Sequence, residues 1–366
     1  MKITKVEPIL VALPYEDGAP KRASTPGHSA DNVLALFVRV DTDEGITGWG
    51  EAFSFATVPV TIPAIANAVG PLAIGQDPTD IELVAEDLRR RYQNMMRGGP
   101  ARFALSAIEI AMWDIKGKVE GKPVWQLLGG KPKESIEAYA SMFRYHNPET
   151  VHRVSGTAYQ RGYRKIKLHE RTVEAVAAAR EALGEGVPLM VDVNCAWYPD
   201  EAISMARQME PYDVTWLEEP ISPPDDYEGL ARVRREGGVP IANGENIGNP
   251  YDVKWMAAQG AVDIVQPSVV KHGGIGDVMR MVEIAEGAGM RAVPHCPFVG
   301  PGLLATIHIV AAMQSDVPCE HRYCDLGASP LGDSVVATGG RLNVPQGPGL
   351  GVEPDLSVLE RYRVRS

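Results

Sequence analysis

The sequence predicts a (β/α) barrel preceded by a small α+β domain, an α/β protein of two domains. Short apolar runs end in polar residues at intervals of 25, 26, 27, 23, 27 and 25 positions. Each interval fits one strand, one helix and two short loops, the crossover that parallel strands need. Helical periodicity fills the intervals, and the first 130 residues do not follow this spacing. The residues at the ends of the apolar runs are Lys167, Asp192, Glu218, Glu245, Ser268, His295 and Glu320.

Residues 1–130 are expected to form the α+β domain. Three alternating segments, two of them joined by a turn signal at residues 41–45, predict a small antiparallel sheet. Residues 15–29 are polar and rich in proline and glycine, which is typical of a loop that covers a pocket. The predicted strands are 2–13, 33–40 and 46–51, and the predicted helices are 60–74, 77–95 and 101–119.

The barrel is expected over residues 131–340, with its first strand at 135–141 and its first helix beginning near 148. Barrel active sites lie at the C-terminal ends of the strands, where all seven marked residues fall. A doubly wound open sheet would also alternate strand and helix, but it would not bring seven strand ends to one point. Residues 341–366 break the alternation, and we expect them to return to the first domain.

Composition excludes several classes of partner. The net charge of −11 disfavours nucleic acid and anionic membranes, because both need a basic surface. The N-terminal residues lack the apolar core of a signal peptide, and no apolar run of membrane-spanning length is evident, so we expect a cytoplasmic protein. The four cysteines form no Cys-x-x-Cys pair; they are interpreted as buried residues in a reducing compartment, with a reactive thiol left open.

Three successive strand ends carry the carboxylates Asp192, Glu218 and Glu245. A single carboxylate in this position would be interpreted as a cap of the following helix. Three of them in one barrel mouth would repel one another unless a hard divalent cation, most simply Mg²⁺, neutralised them. The neighbouring polar residues Asn194, Glu219 and Asn246 are expected to orient these ligands.

Strand alternation places Lys165, Lys167 and His169 on one face, one repeat before the carboxylates. A lysine beside a metal and a second lysine is disfavoured in its protonated form, which suits a general base. His295, at the end of the seventh strand, suits a general acid or base. A lysine, a histidine and Mg²⁺ together predict removal of a proton α to a carboxylate, through an enediolate.

The sequence resembles the enolase superfamily, in its mandelate racemase-like branch. The resemblance implies an N-terminal capping domain and a modified TIM barrel. It also implies that Asp192, Glu218 and Glu245 bind Mg²⁺, that Lys167 is the base, that Lys165 holds the substrate carboxylate, and that Glu320 hydrogen-bonds the substrate carboxylate. The motifs that carry the resemblance are Asp43–Glu51, Ala107–Lys118, Lys165–Lys167, Val191–Asn194, Trp216–Pro220, Gly244–Asn246, Gly273–Gly274 and Gly347–Gly351.

The family pattern also suggests where the substrate would bind. Specificity is expected from the loop 15–29 and from the loop after the first barrel strand. Two positions depart from the family pattern. Ser268 stands where the mandelate racemase pattern has the Asp that pairs with the strand 7 histidine, so His295 should be a poorer base. His169 stands where a small residue is expected, and it is a further substrate contact. The candidate substrate contacts are Arg22, His28, Arg144, Tyr145 and His169.

These observations predict a dehydratase in which Lys167 removes the α-proton of a hydroxy acid and His295 helps to expel the β-hydroxyl. The resemblance implies that the substrate is a sugar acid. A racemase or epimerase, with both residues as bases, and a lactone cycloisomerase are alternatives. More remote alternatives are a Schiff-base aldolase and a non-catalytic binding protein. Relatives of this kind form dimers or octamers, so a homo-oligomer is expected. The glycine run Gly273–Gly276 predicts a tight turn rather than a phosphate site.

Overall fold

The computed structural model describes residues 1–21, 29 and 31–365, and within them thirteen strands form two sheets. Arg22 and His28, two candidate substrate contacts, lie outside the described residues. The strands are β1 (Ile3–Glu16), β2 (Asn32–Thr42), β3 (Thr47–Ala52), β4 (Ser135–Ser141), β5 (Ile166–Leu168), β6 (Leu189–Asp192), β7 (Val214–Glu218), β8 (Ile241–Asn243), β9 (Ile264–Val265), β10 (Arg291–Ala292), β11 (Cys319–Arg322), β12 (Asp325–Leu326) and β13 (Arg341–Asn343).

The helices lie mainly between these strands, and several begin with a proline in their first turn. A proline fits there because the first backbone N–H groups of a helix have no partner within it. The α-helices are α1 (Val58–Pro63), α2 (Gly70–Ala73), α3 (Ile81–Arg91), α4 (Pro100–Glu120), α5 (Val124–Leu127), α6 (Pro148–Gln160), α7 (Val173–Leu183), α8 (Pro199–Met209), α9 (Tyr227–Glu236), α10 (Pro250–Gln259), α11 (Ile275–Gly287), α12 (Pro301–Ala312) and α13 (Leu356–Arg361).

The first sheet is antiparallel and has the order β12-β1-β2-β3. Helix α4 packs closely on β3 because two glycines of β3 allow it: a Cβ added at Gly50 would lie 1.9 Å from the carbonyl oxygen of Ala107. The C-terminal residues also reach this sheet, where the Val364 N–H donates to the Leu10 carbonyl at 2.8 Å. The end of the chain is therefore joined to its beginning.

The second sheet confirms the predicted fold class. Its eight parallel strands have the order β10-β9-β8-β7-β6-β5-β4-β11, and β13 pairs antiparallel with β4. One helix, α6 to α12, follows each of the seven strands from β4 to β10. The eighth strand, β11, lies beside the first, β4, so the sheet curls toward closure and its C-terminal strand ends gather at one mouth.

We expected no apolar segment long enough to span a membrane, and this expectation was wrong, because one helical segment has the length and composition of a membrane-spanning helix. Residues 55–73 form a helical segment of 19 residues with a mean hydropathy of 1.4, built from short 3₁₀, α and π turns. The inner side of this segment packs on the first sheet and on α4, where Ile65, Val69 and Ala73 are fully buried. An apolar helix that covers a domain core has the same composition as one that crosses a membrane.

Candidate active site

Three carboxylates meet where β6, β7 and β8 end. Asp192 and Glu218 are register partners on adjacent strands, and Glu245 follows β8 by two residues. One oxygen from each carboxylate lies within 4.8 Å of the others, and all three side chains are buried. Burial raises the pKa of Glu218, and the nearby charge of Asp192 adds to the rise. Three buried oxygen donors at this separation fit a hard divalent cation, which would remove their repulsion.

Lys167 lies beside this cluster with a side chain that is 0% exposed. Its Nζ donates to Glu218 Oε1 at 2.8 Å and lies 2.7 Å from Glu320 Oε1. Burial alone would lower its pKa, but the negative charges of Glu218 and Glu320 outweigh burial and raise it well above the ordinary value. In this arrangement Lys167 is a buried ammonium group held between two carboxylates.

Lys165 does not join the cluster. Its Nζ pairs with Glu137 on β4, and both side chains are partly exposed. Alternation does place Lys165 and Lys167 on one face, but a spacing of two residues separates them by about 6.6 Å along the strand. Lys165 therefore lies one layer below the carboxylates, at a distance from the mouth that the sequence pattern alone did not reveal.

His169 is the residue that lies one layer above Lys167 at the pocket. Its Nε2 is 3.2 Å from Asp192 Oδ2, and its Nδ1 contacts the Met142 carbonyl oxygen. Because a carbonyl can only accept, Nδ1 carries the proton and Nε2 has the free lone pair in the neutral ring. The side chain is 21% exposed and lines the pocket, so it is open to a bound molecule.

His295 faces the cluster from the other side of the barrel. Its Nε2 contacts Glu245 Oε2, and its ring packs edge-on against Phe298 at 5.7 Å. His295 thus contacts a carboxylate that the sequence did not pair with it, while position 268, where the family pattern has an Asp, is Ser268. Ser268 bridges to it through the backbone, and among the described residues neither Ser268 Oγ nor His295 Nδ1 has a hydrogen-bond partner.

Glu320 completes the floor of the site. One of its oxygens contacts Lys167 and accepts from Ser141 Oγ at 2.6 Å, and the other accepts from the Cys296 N–H at 2.7 Å. Burial opposes ionisation, but the charges of Lys167 and His295 lower the pKa of Glu320 to about 2. Glu320 is therefore an anion whose oxygens are already occupied by donors.

The residues next to the carboxylates orient them. Asn194 donates to both oxygens of Asp192, from its backbone N–H at 2.8 Å and from Nδ2 at 3.0 Å. Asn246 donates from Nδ2 to both Glu219 and Glu245. Lys271, which the sequence pattern did not single out, donates from Nζ to Glu245 Oε1 at 2.9 Å. Its distance from the strand end hid this role, because the turn after β9 carries it back toward Glu245.

A pocket of about 730 Å³ opens above the cluster. Arg144 lines it but is fixed by the protein, since Nε donates to the His169 carbonyl and Nη2 donates to Asn194 Oδ1 at 2.7 Å. Tyr145 is buried, and it is not among the residues that line the pocket. The described lining residues are Tyr15, Ser29, Phe53, Phe55, Ala56, Thr57, Ser141, Met142, Phe143, Arg144, His146, His169, Asn194, Glu245, His295, Pro297 and Arg322.

The glycine-rich turn before α11 already holds a carboxyl group from the protein itself. Glu109 of α4 accepts from the N–H groups of Ile275 at 2.7 Å and Gly276 at 2.8 Å. A Cβ at Gly274 would lie 2.0 Å from a Glu109 oxygen, so glycine is required for this contact. These contacts make the run an interdomain packing feature rather than a phosphate site.

Comparisons with known proteins cover nearly the whole chain. Residues 16–129 match the family model described as mandelate racemase / muconate lactonizing enzyme, N-terminal domain, and residues 149–358 match the model described as enolase C-terminal domain-like. The chain is 32% identical to a D-galactarolactone cycloisomerase of Agrobacterium fabrum, covering 100% of this chain and 99% of that protein. It is 31% identical to an arabinonate dehydratase of Saccharolobus solfataricus, covering 89% of this chain and 90% of that protein.

A similar solved structure is the crystal structure of a racemase from Streptomyces coelicolor with bound magnesium. It is 29% identical in sequence and has a TM-score of 0.85. The match covers 99% of this chain and 100% of that chain. The similarity therefore extends over the barrel and over the N-terminal domain together.

Proposed function

Because this chain belongs to the enolase superfamily, in its mandelate racemase-like branch, we propose that it is a Mg²⁺-dependent enzyme that removes the α-proton of a carboxylate substrate. The reaction we favour is dehydration of a sugar acid to a 2-keto acid. One observation carries this proposal: three buried carboxylates lie within 4.8 Å of one another, at the mouth of a barrel, beside a buried lysine. The sugar-acid activities named for the similar proteins support the choice of substrate.

Asp192, Glu218 and Glu245 would hold the metal ion. When bound, Mg²⁺ would polarise the substrate carboxylate and stabilise the negative charge that develops when the α-proton leaves. The substrate carboxylate would approach Lys167, whose ammonium group adds a positive charge that is already in place before the reaction. Glu320 fixes Lys167 in this position.

His169 is a better candidate for the base than Lys167, which was the sequence expectation. The contacts of Lys167 with Glu218 and Glu320 favour the protonated form, and a protonated amine cannot accept the α-proton. His169 lines the pocket, and its Nδ1 is held by the Met142 carbonyl. Its Nε2 lies 3.2 Å from Asp192 Oδ2 and would be left to the substrate when Asp192 binds the metal ion. We therefore assign proton removal to His169 and electrostatic stabilisation of the carboxylate to Lys167.

His295 lies on the other side of the pocket and would serve as the acid. Its Nε2 contacts Glu245 Oε2, and in its protonated form the ring would donate a proton to the departing β-hydroxyl. The α-carbon would lose its proton to His169, and the hydroxyl would leave as water with a proton from His295. The enol that results would tautomerise to the 2-keto acid.

A 1,1-proton transfer or a cycloisomerisation is the second candidate. Two histidines on β5 and β10 sides of the pocket suit a racemase or epimerase, in which each serves one face of the α-carbon. The cycloisomerase name of one similar protein favours a lactone substrate. A Schiff-base aldolase is disfavoured because the Lys167 amine is charged and enclosed by carboxylates.

The test is a screen of the purified protein with Mg²⁺ against sugar monoacids, sugar diacids and their lactones, with 2-keto products detected by semicarbazide. The same incubations in D₂O report exchange at the α-carbon. We expect His169→Asn to abolish both signals and Lys167→Met to raise KM as well as lower kcat. A turnover that survives EDTA, or exchange that persists in His169→Asn, would contradict the assignment.

We also propose that the protein works in the cytoplasm as a homo-oligomer. Tyr251 and Trp255, one helical turn apart on α10, are 69% and 60% exposed. Adjacent large aromatic side chains with this exposure are typical of a surface that another protein covers. Light scattering behind size exclusion gives the mass directly, and a mass of one chain would contradict the proposal.

A further inference from the structure

Arg322 lies at the upper wall of the pocket on the same strand as Glu320. Strand alternation gives the two residues one inward face, while His321 between them points away and bonds to Tyr163. Two residues of strand place Arg322 about 6.6 Å further toward the mouth than Glu320. Arg322 therefore lies nearer the mouth of the barrel than Glu320, which contacts the lysine where the substrate carboxylate would bind.

The guanidinium group of Arg322 is buried and forms no direct ion pair among the described residues, although the charges of Glu320 and Glu51 reach it from further away. Its side chain is 9% exposed, and its charged group lies 5.2 Å from the ring centres of both Phe55 and Phe143. Within the described residues, its one hydrogen bond runs from Nε to the Pro297 carbonyl at 2.6 Å, and no carboxylate lies within 4.0 Å. A buried cation that lacks a direct ion pair is stabilised when an anion binds beside it.

The rest of the described lining offers no competing role for this charge. Glu245 is the one carboxylate among the described lining residues, and it is part of the metal cluster. Arg144, the other arginine there, already donates to His169 and Asn194. Arg322 therefore keeps both of its terminal nitrogens available to a molecule in the pocket, and a planar guanidinium matches a carboxylate through two parallel hydrogen bonds.

Taking the proposed function as given, we propose that Arg322 binds a second carboxylate at the far end of the substrate. The substrate class is then a sugar diacid rather than a sugar monoacid. A height difference of about 6.6 Å along the strand is comparable to an extended chain of about five or six carbons, whose bonds are each about 1.5 Å long. The proximal carboxylate would lie at the metal cluster and the distal one between the rings of Phe55 and Phe143.

The test compares sugar diacids with the monoacids of the same length and stereochemistry. We expect the wild-type kcat/KM to favour the diacid, and Arg322→Met to reduce it by about 100-fold for the diacid but by less than about threefold for the monoacid. Arg322→Lys should restore part of the loss. Arg341→Met removes an exposed arginine at the opposite end of the barrel and should leave both activities unchanged.

An equal loss on both substrates, or no loss on either, would overturn the proposal. A binding measurement that needs no turnover separates it from the proposed function. In titration calorimetry with Mg²⁺, adipate should bind the wild type at least about tenfold more tightly than hexanoate, and Arg322→Met should remove this preference. Catalysis without an adipate preference would leave the function standing and refute the distal site. An adipate preference in a protein that shows neither turnover nor exchange would support the distal site and refute the proposed function.

Discussion

Lowering the pH from 7 to 4.5 should cost the folded protein stability through one buried histidine, His308. Its Nδ1 accepts from the Trp125 N–H at 3.2 Å, and its Nε2 donates to the Leu350 carbonyl at 3.2 Å. Helix α12 of the barrel is thereby tied to α5 and to the C-terminal segment. Protonation would add a charge that this buried site cannot solvate, and burial lowers the pKa of His308 to about 4.

The magnitude follows from linkage between protonation and folding. A folded-state pKa below the unfolded value of about 6.5 means that the contribution is present above pH 6.5 and is lost as the pH falls toward 4. At pH 4.5 the unfolded chain holds the proton and the folded chain mostly does not. With these two pKa values, the loss between pH 7 and pH 4.5 is about 2.5 kcal/mol.

The measurement is urea unfolding of the wild type and His308→Gln at several pH values between 7 and 4.5. The variant should be the less stable protein at pH 7, because two buried hydrogen bonds change, and should lose about 2.5 kcal/mol less on acidification. His152→Gln, which removes an exposed histidine of α6, is the matched control. The reasoning would be refuted if the free energy of unfolding fell by the same amount on acidification in the wild type and in His308→Gln.

Two further predictions concern the metal and the interdomain contact. Millimolar Mg²⁺ should raise the melting temperature of the wild type by several degrees, because an ion that binds the folded state stabilises it. The melting temperature of Asp192→Asn should rise much less. Equal shifts in the two proteins would contradict the assigned site. Arg102→Met should lower the free energy of unfolding by about 3–5 kcal/mol. The reason is that Asp277, which pairs with Arg102 at 2.7 Å, would stay buried with its charge only partly compensated by Arg89. A loss below about 1 kcal/mol in urea unfolding would contradict this expectation.

The parts of the site that the sequence predicted are those fixed by position along a single strand. A strand that ends in a charged residue delivers it to the barrel mouth, so Asp192, Glu218 and Glu245 could be grouped from their spacing alone. The same reasoning placed Lys167 and Glu320 near them, where the structure has both. Their chemical roles remain proposals for the experiments above.

The contacts that the sequence left open depend on how far each side chain lies along the barrel axis and on the path of the turns between strands and helices. Lys165, Lys167 and His169 share one face, but the register of β5 against β6 decides which of them stands level with the carboxylates. Lys271 reaches Glu245 only because the turn after β9 folds back, and His295 meets Glu245 rather than a partner at position 268. No local pattern encodes these contacts.

The sequence by itself determined the order of strands and helices and the identity of the groups at the strand ends, because apolar periodicity and strand length are local properties of the chain. Only the tertiary structure decided which charges face one another. Arg322 illustrates the difference, since its guanidinium lies over two aromatic rings and, in the described part of the chain, forms no ion pair with a carboxylate. That combination is assembled from three separate segments of the chain, and only folding brings them together.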